Sequence, residues 1–212
     1  MVLKLTTTNQ KLNLNTPNKL TILRVFLSPL VLLFLILDFP FHNLVAMAVF
    51  GAAALTDLFD GRIARSRNLV TNLGKFLDPI ADKMLTTAAF LGFLVIGRLD
   101  VWAVMLVLTR EFMVATIRML AAKDDVVVAA DFAGKAKTVA QFVSILFLFA
   151  ALEFASWQDT LLAGFALPDS LFSIPLIVGH ALIWVSVVLT VISGCQYVWS
   201  YRRYLMDSAE EN

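Results

Sequence analysis

The chain has 212 residues, of which 59% are hydrophobic and only 16% charged, a balance far from that of a soluble globular domain. The apolar content excludes disorder, nine glycines exclude a collagen-like chain, and the lone Cys195 excludes an internal disulfide scaffold. Seventeen Lys and Arg against sixteen Asp and Glu leave a net charge of +1, so no overall field points toward nucleic acid and no such partner is expected.

Met1–Thr16 is polar and lacks the apolar core and small-residue cleavage site of a secretory signal, so residues 1–19 read as a juxtamembrane surface segment. Asn15 or Thr16 followed by Pro17 reads as a helix N-cap with proline at the first helical position. Six apolar runs follow, most near the length that crosses ~30 Å of hydrocarbon. They extend over Leu20–Leu37, Leu44–Asp60, Pro79–Ile96, Trp102–Ala121, Thr138–Phe154 and Leu171–Tyr197. None shows the alternation of a lipid-facing barrel strand. The expectation is an all-α integral membrane protein of six transmembrane helices, forming a single domain over residues 1–212.

Charge orients these spans. Lys4, Lys11, Lys19, Arg24, Arg62, Arg65, Arg67, Lys75, Lys83, Arg110, Arg118, Lys123, Lys135, Lys137, Arg202 and Arg203 fall on one side and Arg98 alone on the other. By the positive-inside rule both termini are cytoplasmic and the chain sits in the inner (cytoplasmic) membrane. The opposite loops hold Asp38, His42, Asp100, Glu153, Asp159 and Asp169, and His42 and His180 lie on the wrong face for chemistry at the basic side. Trp102, Trp157, Trp184, Trp199, Tyr201 and Tyr204 read as interface belts, Cys195 as a packed thiol, and Asp124, Asp125 and Asp131 as a solvated acidic loop.

Four carboxylates break the apolar pattern. Asp57 and Asp60 close the second span and Asp78 and Asp82 open the third, and spacings of three and four put each pair on one side of its helix. Held close and unpaired they would repel one another, so cations belong among them, and all-oxygen ligation suits Mg²⁺ or Mn²⁺. Gly61, Ala64 and Gly74 leave room beside the acids for a bulky anionic ligand, with Arg65 available for its phosphate, although small residues at this spacing also serve close helix packing.

The stretch Asp57-Leu-Phe-Asp60-Gly61-Arg-Ile-Ala64-Arg65, eight residues, then Gly74-Lys-Phe-Leu-Asp78-Pro-Ile-Ala-Asp82, resembles the signature of the CDP-alcohol phosphotransferases at every fixed position. Further likeness lies in Pro17 to Arg24, in Arg110-Glu111-Phe112 and Arg118, and in Gly134-Lys135-Ala136-Lys137-Thr138, with Ala115 and Thr116 standing where Thr-Gly is common. The resemblance implies a homodimer in which two divalent ions on Asp57, Asp60, Asp78 and Asp82 hold the diphosphate of CDP-diacylglycerol. It also implies that Asp82 acts as general base on the acceptor hydroxyl, and that Gly61, Ala64, Arg65 and Gly74 border the CDP-lipid.

The acceptor of such an enzyme needs its own pocket. Arg110 and Arg118 stand about two turns apart on one helical face, and Lys135 and Lys137 precede the fifth span. Together they point to a phosphorylated acceptor, and the resemblance implies that it is sn-glycerol 3-phosphate, with phosphatidylglycerol phosphate and CMP as products. Singly, each cation reads first as a positive-inside anchor or a snorkelling side chain, and only the set points to a phosphate. Inositol phosphate, serine and phosphatidylglycerol are the rival acceptors. A divalent-metal transporter is the rival of another class, disfavoured because Arg62, Arg65 and Arg67 beside the acids would repel a permeating cation.

Overall fold

The computed structural model describes the backbone of residues 16–67, 72–123 and 132–210, and within these the side chains of residues 19–56, 80–81, 83–121 and 134–202. Long apolar runs pair every backbone N–H and C=O within the segment only as helices. Among the described residues there are six: α1 (Thr16–Ile36), α2 (His42–Arg67), α3 (Asn72–Val95), α4 (Val101–Lys123), α5 (Phe132–Ser156) and α6 (Ser170–Glu210). Their order and number follow the six predicted runs. Pro17 falls in the first turn of α1, where its missing N–H would have had no helical partner.

The helices outrun the predicted spans mainly at the basic end. α2 continues from Asp60 to Arg67, α3 begins at Asn72 instead of Pro79, α5 begins at Phe132 instead of Thr138, and α6 runs on from Tyr197 to Glu210. Apolarity marks the membrane, whereas backbone pairing marks the helix, and the two need not end together.

Three helices are, among the described residues, long and apolar enough to cross a membrane: Lys19–Ile36 in α1, Gly134–Ser156 in α5 and Ser170–Arg202 in α6. α2 and α3 contribute the shorter apolar stretches His42–Thr56 and Lys83–Val95. Charge shortens the rest, since α2 and α3 carry the acidic motif and α4 carries Arg110, Glu111 and Arg118 inside its run.

α1 packs against α2 and α3, α5 against α6 and α2, and α4 along α6. At the centre, the Phe149 ring lies 4.9 Å from that of Phe93 and 5.9 Å from that of Phe50, with Val31, Leu35, Ile183 and Val187 buried around them. In lipid such contacts hold by dispersion and shape rather than by exclusion of water. A polar link joins α5 to α6: Gln141 Nε2 donates to Thr190 Oγ1 at 3.1 Å, and Thr190 Oγ1 in turn donates to the Ser186 carbonyl within α6 at 2.7 Å. The outer surface is apolar, with Phe26, Trp102, Phe112, Ile177 and Trp199 exposed, as expected of a surface solvated by acyl chains. Cys195, expected to be packed, is instead exposed on that surface.

The end opposite the basic one is closed by turns. Gly97, at φ 70°, terminates α3 with its N–H on the Leu94 carbonyl and that of Arg98 on the Phe93 carbonyl, a Schellman pair that requires a left-handed residue. Glu153 was expected in an external loop. It lies within α5 and is buried, accepting the Leu44 backbone N–H at 3.2 Å and Trp157 Nε1–H at 3.0 Å. The carboxylate therefore caps the first turn of α2 from a neighbouring helix, where the helix dipole favours negative charge. His42 bonds the Phe34 carbonyl at 3.3 Å and His180 the Leu176 carbonyl at 2.7 Å, each tying down backbone at this end.

Replacing Glu153 with Ala should cost about 1–3 kcal/mol of stability through the orphaned N–H groups. The check is the thermal midpoint of the detergent-solubilised protein. Glu153→Gln, which retains an acceptor oxygen, should lose less than Glu153→Ala, and equal midpoints for all three proteins would refute the cap.

Candidate functional site

Where α3, α4 and α5 meet, a pocket of about 400 Å³ is lined by Lys83, Arg110, Glu111, Arg118, Lys135 and Lys137, with Val114, Ala115, Gly134, Thr138 and Val139 completing its wall. All four cations singled out in the sequence for an acceptor phosphate line this one cavity. Lys83 joins them from α3. Sequence reasoning counted it only as a basic-side charge, although its place one residue after Asp82 was a signal that it stands close to the acidic motif.

The cations arrive from different helices and one carboxylate organises them. Glu111 Oε1 accepts Lys137 Nζ–H and Arg110 Nη1–H, the latter at 3.2 Å, and Lys83 Nζ lies 3.9 Å from Glu111 Oε2. Lys83 Nζ also donates to the Glu111 carbonyl at 3.1 Å. Glu111 is thus the shared counter-ion of three cations, two of them, Arg110 and Lys137, buried. Burial of such charges is tolerable because each has an ionic partner within bonding distance.

Two residues of α6 complete the frame, and the sequence offered no sign of either role. Ser193 Oγ accepts Arg110 Nη2–H at 2.8 Å. Tyr197 Oη accepts Arg118 Nε–H at 3.1 Å, and the Arg118 guanidinium carbon lies 5.7 Å from the Tyr197 ring centroid, within cation–π range. Gly194 lies between them. A Cβ there would stand 2.7 Å from Arg110 Cγ, so only glycine lets the arginine stem cross α6 without displacement.

The backbone places the acidic motif on the two helices next to this pocket in the chain. Asp57, Asp60, Gly61, Ala64 and Arg65 belong to the C-terminal part of α2, and Gly74, Asp78 and Asp82 to the N-terminal half of α3, the helix that also supplies Lys83. The side chains of these eight residues lie outside the described ones, as does the acidic loop Asp124, Asp125 and Asp131. Among the described residues no group of three or more His, Cys, Asp or Glu side chains could hold a metal ion. The chemistry of the motif's donor set, carboxylates alone with neither His nor Cys in the stretch, fits a hard divalent ion.

A helical bundle with a motif of four acids on α2 and α3 and a cationic pocket where α3, α4 and α5 meet has the parts of an enzyme that handles two phosphorylated substrates. The family profile of CDP-alcohol phosphatidyltransferase matches residues 14–192, and the chain belongs to that family. It is 35% identical to the CDP-diacylglycerol–glycerol-3-phosphate 3-phosphatidyltransferase of Bacillus subtilis (strain 168), over 86% of this chain and 93% of that one. It is 33% identical to the protein of the same name from Rickettsia bellii (strain RML369-C), over 92% and 99%. A probable phosphatidylglycerophosphate synthase of Mycobacterium tuberculosis (strain CDC 1551 / Oshkosh) is 36% identical, over 87% of this chain and 80% of its own. The family match reaches well beyond the motif, and residues 14–192 take in the α3, α4 and α5 residues that line the pocket.

If Glu111 organises the pocket, Glu111→Leu leaves Arg110 and Lys137 buried without their counter-ion and should cost about 3–5 kcal/mol. Adding Lys137→Met removes one of the stranded charges and should restore part of the thermal midpoint. A midpoint unchanged in Glu111→Leu would contradict the network.

Proposed function

We propose that this chain transfers the phosphatidyl group of CDP-diacylglycerol to sn-glycerol 3-phosphate, giving phosphatidylglycerol phosphate and CMP in phospholipid biosynthesis. The names of its relatives support the activity. The observation that carries the acceptor assignment is the gathering of five cations around one pocket of about 400 Å³, with a single carboxylate among its lining residues.

In this reading Asp57, Asp60, Asp78 and Asp82 hold two divalent ions, Mg²⁺ or Mn²⁺. When bound, the ions supply charge neutralisation for the diphosphate as negative charge moves onto the departing CMP. Gly61, Ala64 and Gly74 leave space for the CDP moiety and Arg65 meets one of its phosphates. Asp82 takes the proton of the acceptor hydroxyl. That oxygen forms a bond to the lipid-side phosphorus while the bond from this phosphorus to the bridging oxygen breaks, its electron pair leaving with CMP. Arg110, Arg118, Lys135 and Lys137 neutralise the acceptor phosphate and fix its hydroxyl near the phosphorus, converting an encounter of two anions into a positioned reaction.

The membrane arrangement is part of the same proposal. All six helices cross or enter the bilayer, both termini and the site face the cytoplasm across the inner membrane, the lipid substrate enters sideways, and the protein works as a homodimer. The apolar outer surface and the collection of 16 of the 17 cations on one side of the chain support this orientation.

The test is CMP release by purified protein given CDP-diacylglycerol with glycerol 3-phosphate, inositol phosphate, serine or phosphatidylglycerol in turn. Release should require glycerol 3-phosphate, vanish with EDTA and return with Mg²⁺ or Mn²⁺. Asp82→Asn should lower kcat by about 10²-fold or more while CDP-diacylglycerol still binds, because loss of the base acts on the transition state. Full turnover in chelator, or preference for another acceptor, would overturn the proposal.

A further inference from the structure

The cations of the pocket differ in what their donors are already doing. Arg110 is buried, with Nη1 on Glu111 and Nη2 on Ser193, and its Nε is enclosed with no partner. Lys137 is buried against Glu111. These two are spent on internal contacts, so toward an acceptor phosphate they act through their charge rather than through a hydrogen bond. Arg118 is different: it lies at the exposed side of the pocket, only its Nε is engaged, by Tyr197 Oη at 3.1 Å, and its two terminal nitrogens have no partner among the described residues. A guanidinium held by Nε alone keeps its Nη1–Nη2 edge available, and that edge matches two oxygens of a phosphate.

From this contrast we infer that Tyr197, on α6, is a positioning residue: its hydroxyl fixes Arg118 so that the free edge of the guanidinium is presented to the acceptor phosphate, whereas Arg110 and Lys137 shape the pocket from behind. The inference rests on the reading of the pocket as the acceptor-phosphate site. It adds a role for the C-terminal helix, which supplies no residue to the pocket lining itself. An arginine side chain has many rotamers to lose, and an anchor that fixes it before the ligand arrives lowers the entropy lost on binding. Tyr197 is suited to this. It is buried, its ring packs on Tyr201 with centroids 5.0 Å apart, and its ring face lies close enough to Arg118 for cation–π attraction.

The test uses the full-length protein in detergent or liposomes and measures kcat and both KM values. Tyr197→Phe keeps the ring and removes only the hydroxyl. It should raise the KM for glycerol 3-phosphate about 3- to 10-fold, the range carried by one hydrogen bond, with kcat and the KM for CDP-diacylglycerol within about twofold of the parent. In an Arg118→Gln background the same substitution should add less than about twofold, since nothing remains to be positioned. Ser193→Ala, which touches only the spent Arg110, should lower the thermal midpoint and leave the KM for glycerol 3-phosphate within about twofold.

The failures are distinguishable. If Arg118→Gln alone leaves the KM for glycerol 3-phosphate unchanged, the pocket is not the acceptor site and the inference falls with it. If Arg118→Gln raises that KM and Tyr197→Phe does not, the site stands and the positioning role is overturned. Equal shifts in both KM values and in midpoint for Tyr197→Phe would make the hydroxyl a general packing element, and a KM effect of Ser193→Ala as large as that of Tyr197→Phe would refute the division between spent and available cations.

Discussion

A single carboxylate, Glu111, makes it possible to hold buried cations inside an apolar bundle. Arg110 and Lys137 would each be costly in that setting alone, and Lys83 adds a third positive charge nearby. Because the three cations come from α4, α5 and α3, the ion cluster also ties three helices together at the basic end of the molecule. Packing at the other end follows a different rule, with Glu153 serving the backbone of α2 and the aromatic rings of Phe50, Phe93 and Phe149 filling the space between. One end is built around charge recognition and the other around closure.

This division gives the pocket a net positive character that survives its internal pairing. Five cations face one carboxylate in its lining, and the terminal nitrogens of Arg118 have no partner among the described residues, so on the proposed reading an arriving phosphate dianion would meet a net positive wall. The acidic motif on α2 and α3 carries the opposite sign and is suited to metal rather than to phosphate. On the proposed reading, these two regions of opposite charge would hold two anionic substrates side by side, one through cations bound to carboxylates and one directly by arginine and lysine. That separation is the main physical requirement of joining two phosphorylated molecules at a membrane surface.

Much of the fold was legible because hydropathy and helicity coincide over most of the chain, so the number, order and approximate centres of the helices could be read directly. The charged helix ends could not, because apolar periodicity stops where the bilayer stops and α6 continues to Glu210. α2, α3 and α4 carry charges that interrupt their apolar runs, and among the described residues only α1, α5 and α6 meet the length and hydropathy needed to cross a membrane. Glu153 looked like a loop acid since its partner, the Leu44 N–H, is remote in sequence, and Cys195 looked packed because an apolar neighbourhood in sequence does not distinguish a core-facing from a lipid-facing side of a helix. Four of the pocket cations were recognisable by spacing and type. Lys83 was hidden among the other basic-side charges, and Ser193 and Tyr197 carry no motif: their importance arises from which arginine each one touches.

The central claim is that the cationic pocket recognises the phosphate of the acceptor. It is tested most directly by the ratio of kcat/KM for glycerol 3-phosphate to that for glycerol, measured on the parent protein and on Arg118→Gln. The parent should strongly prefer the phosphorylated acceptor, and the variant should lose about 10- to 150-fold of that preference, the value of one charge-assisted hydrogen bond, with the KM for CDP-diacylglycerol little changed. Equal use of glycerol and glycerol 3-phosphate by the parent, or a ratio untouched by the substitution, would contradict the claim.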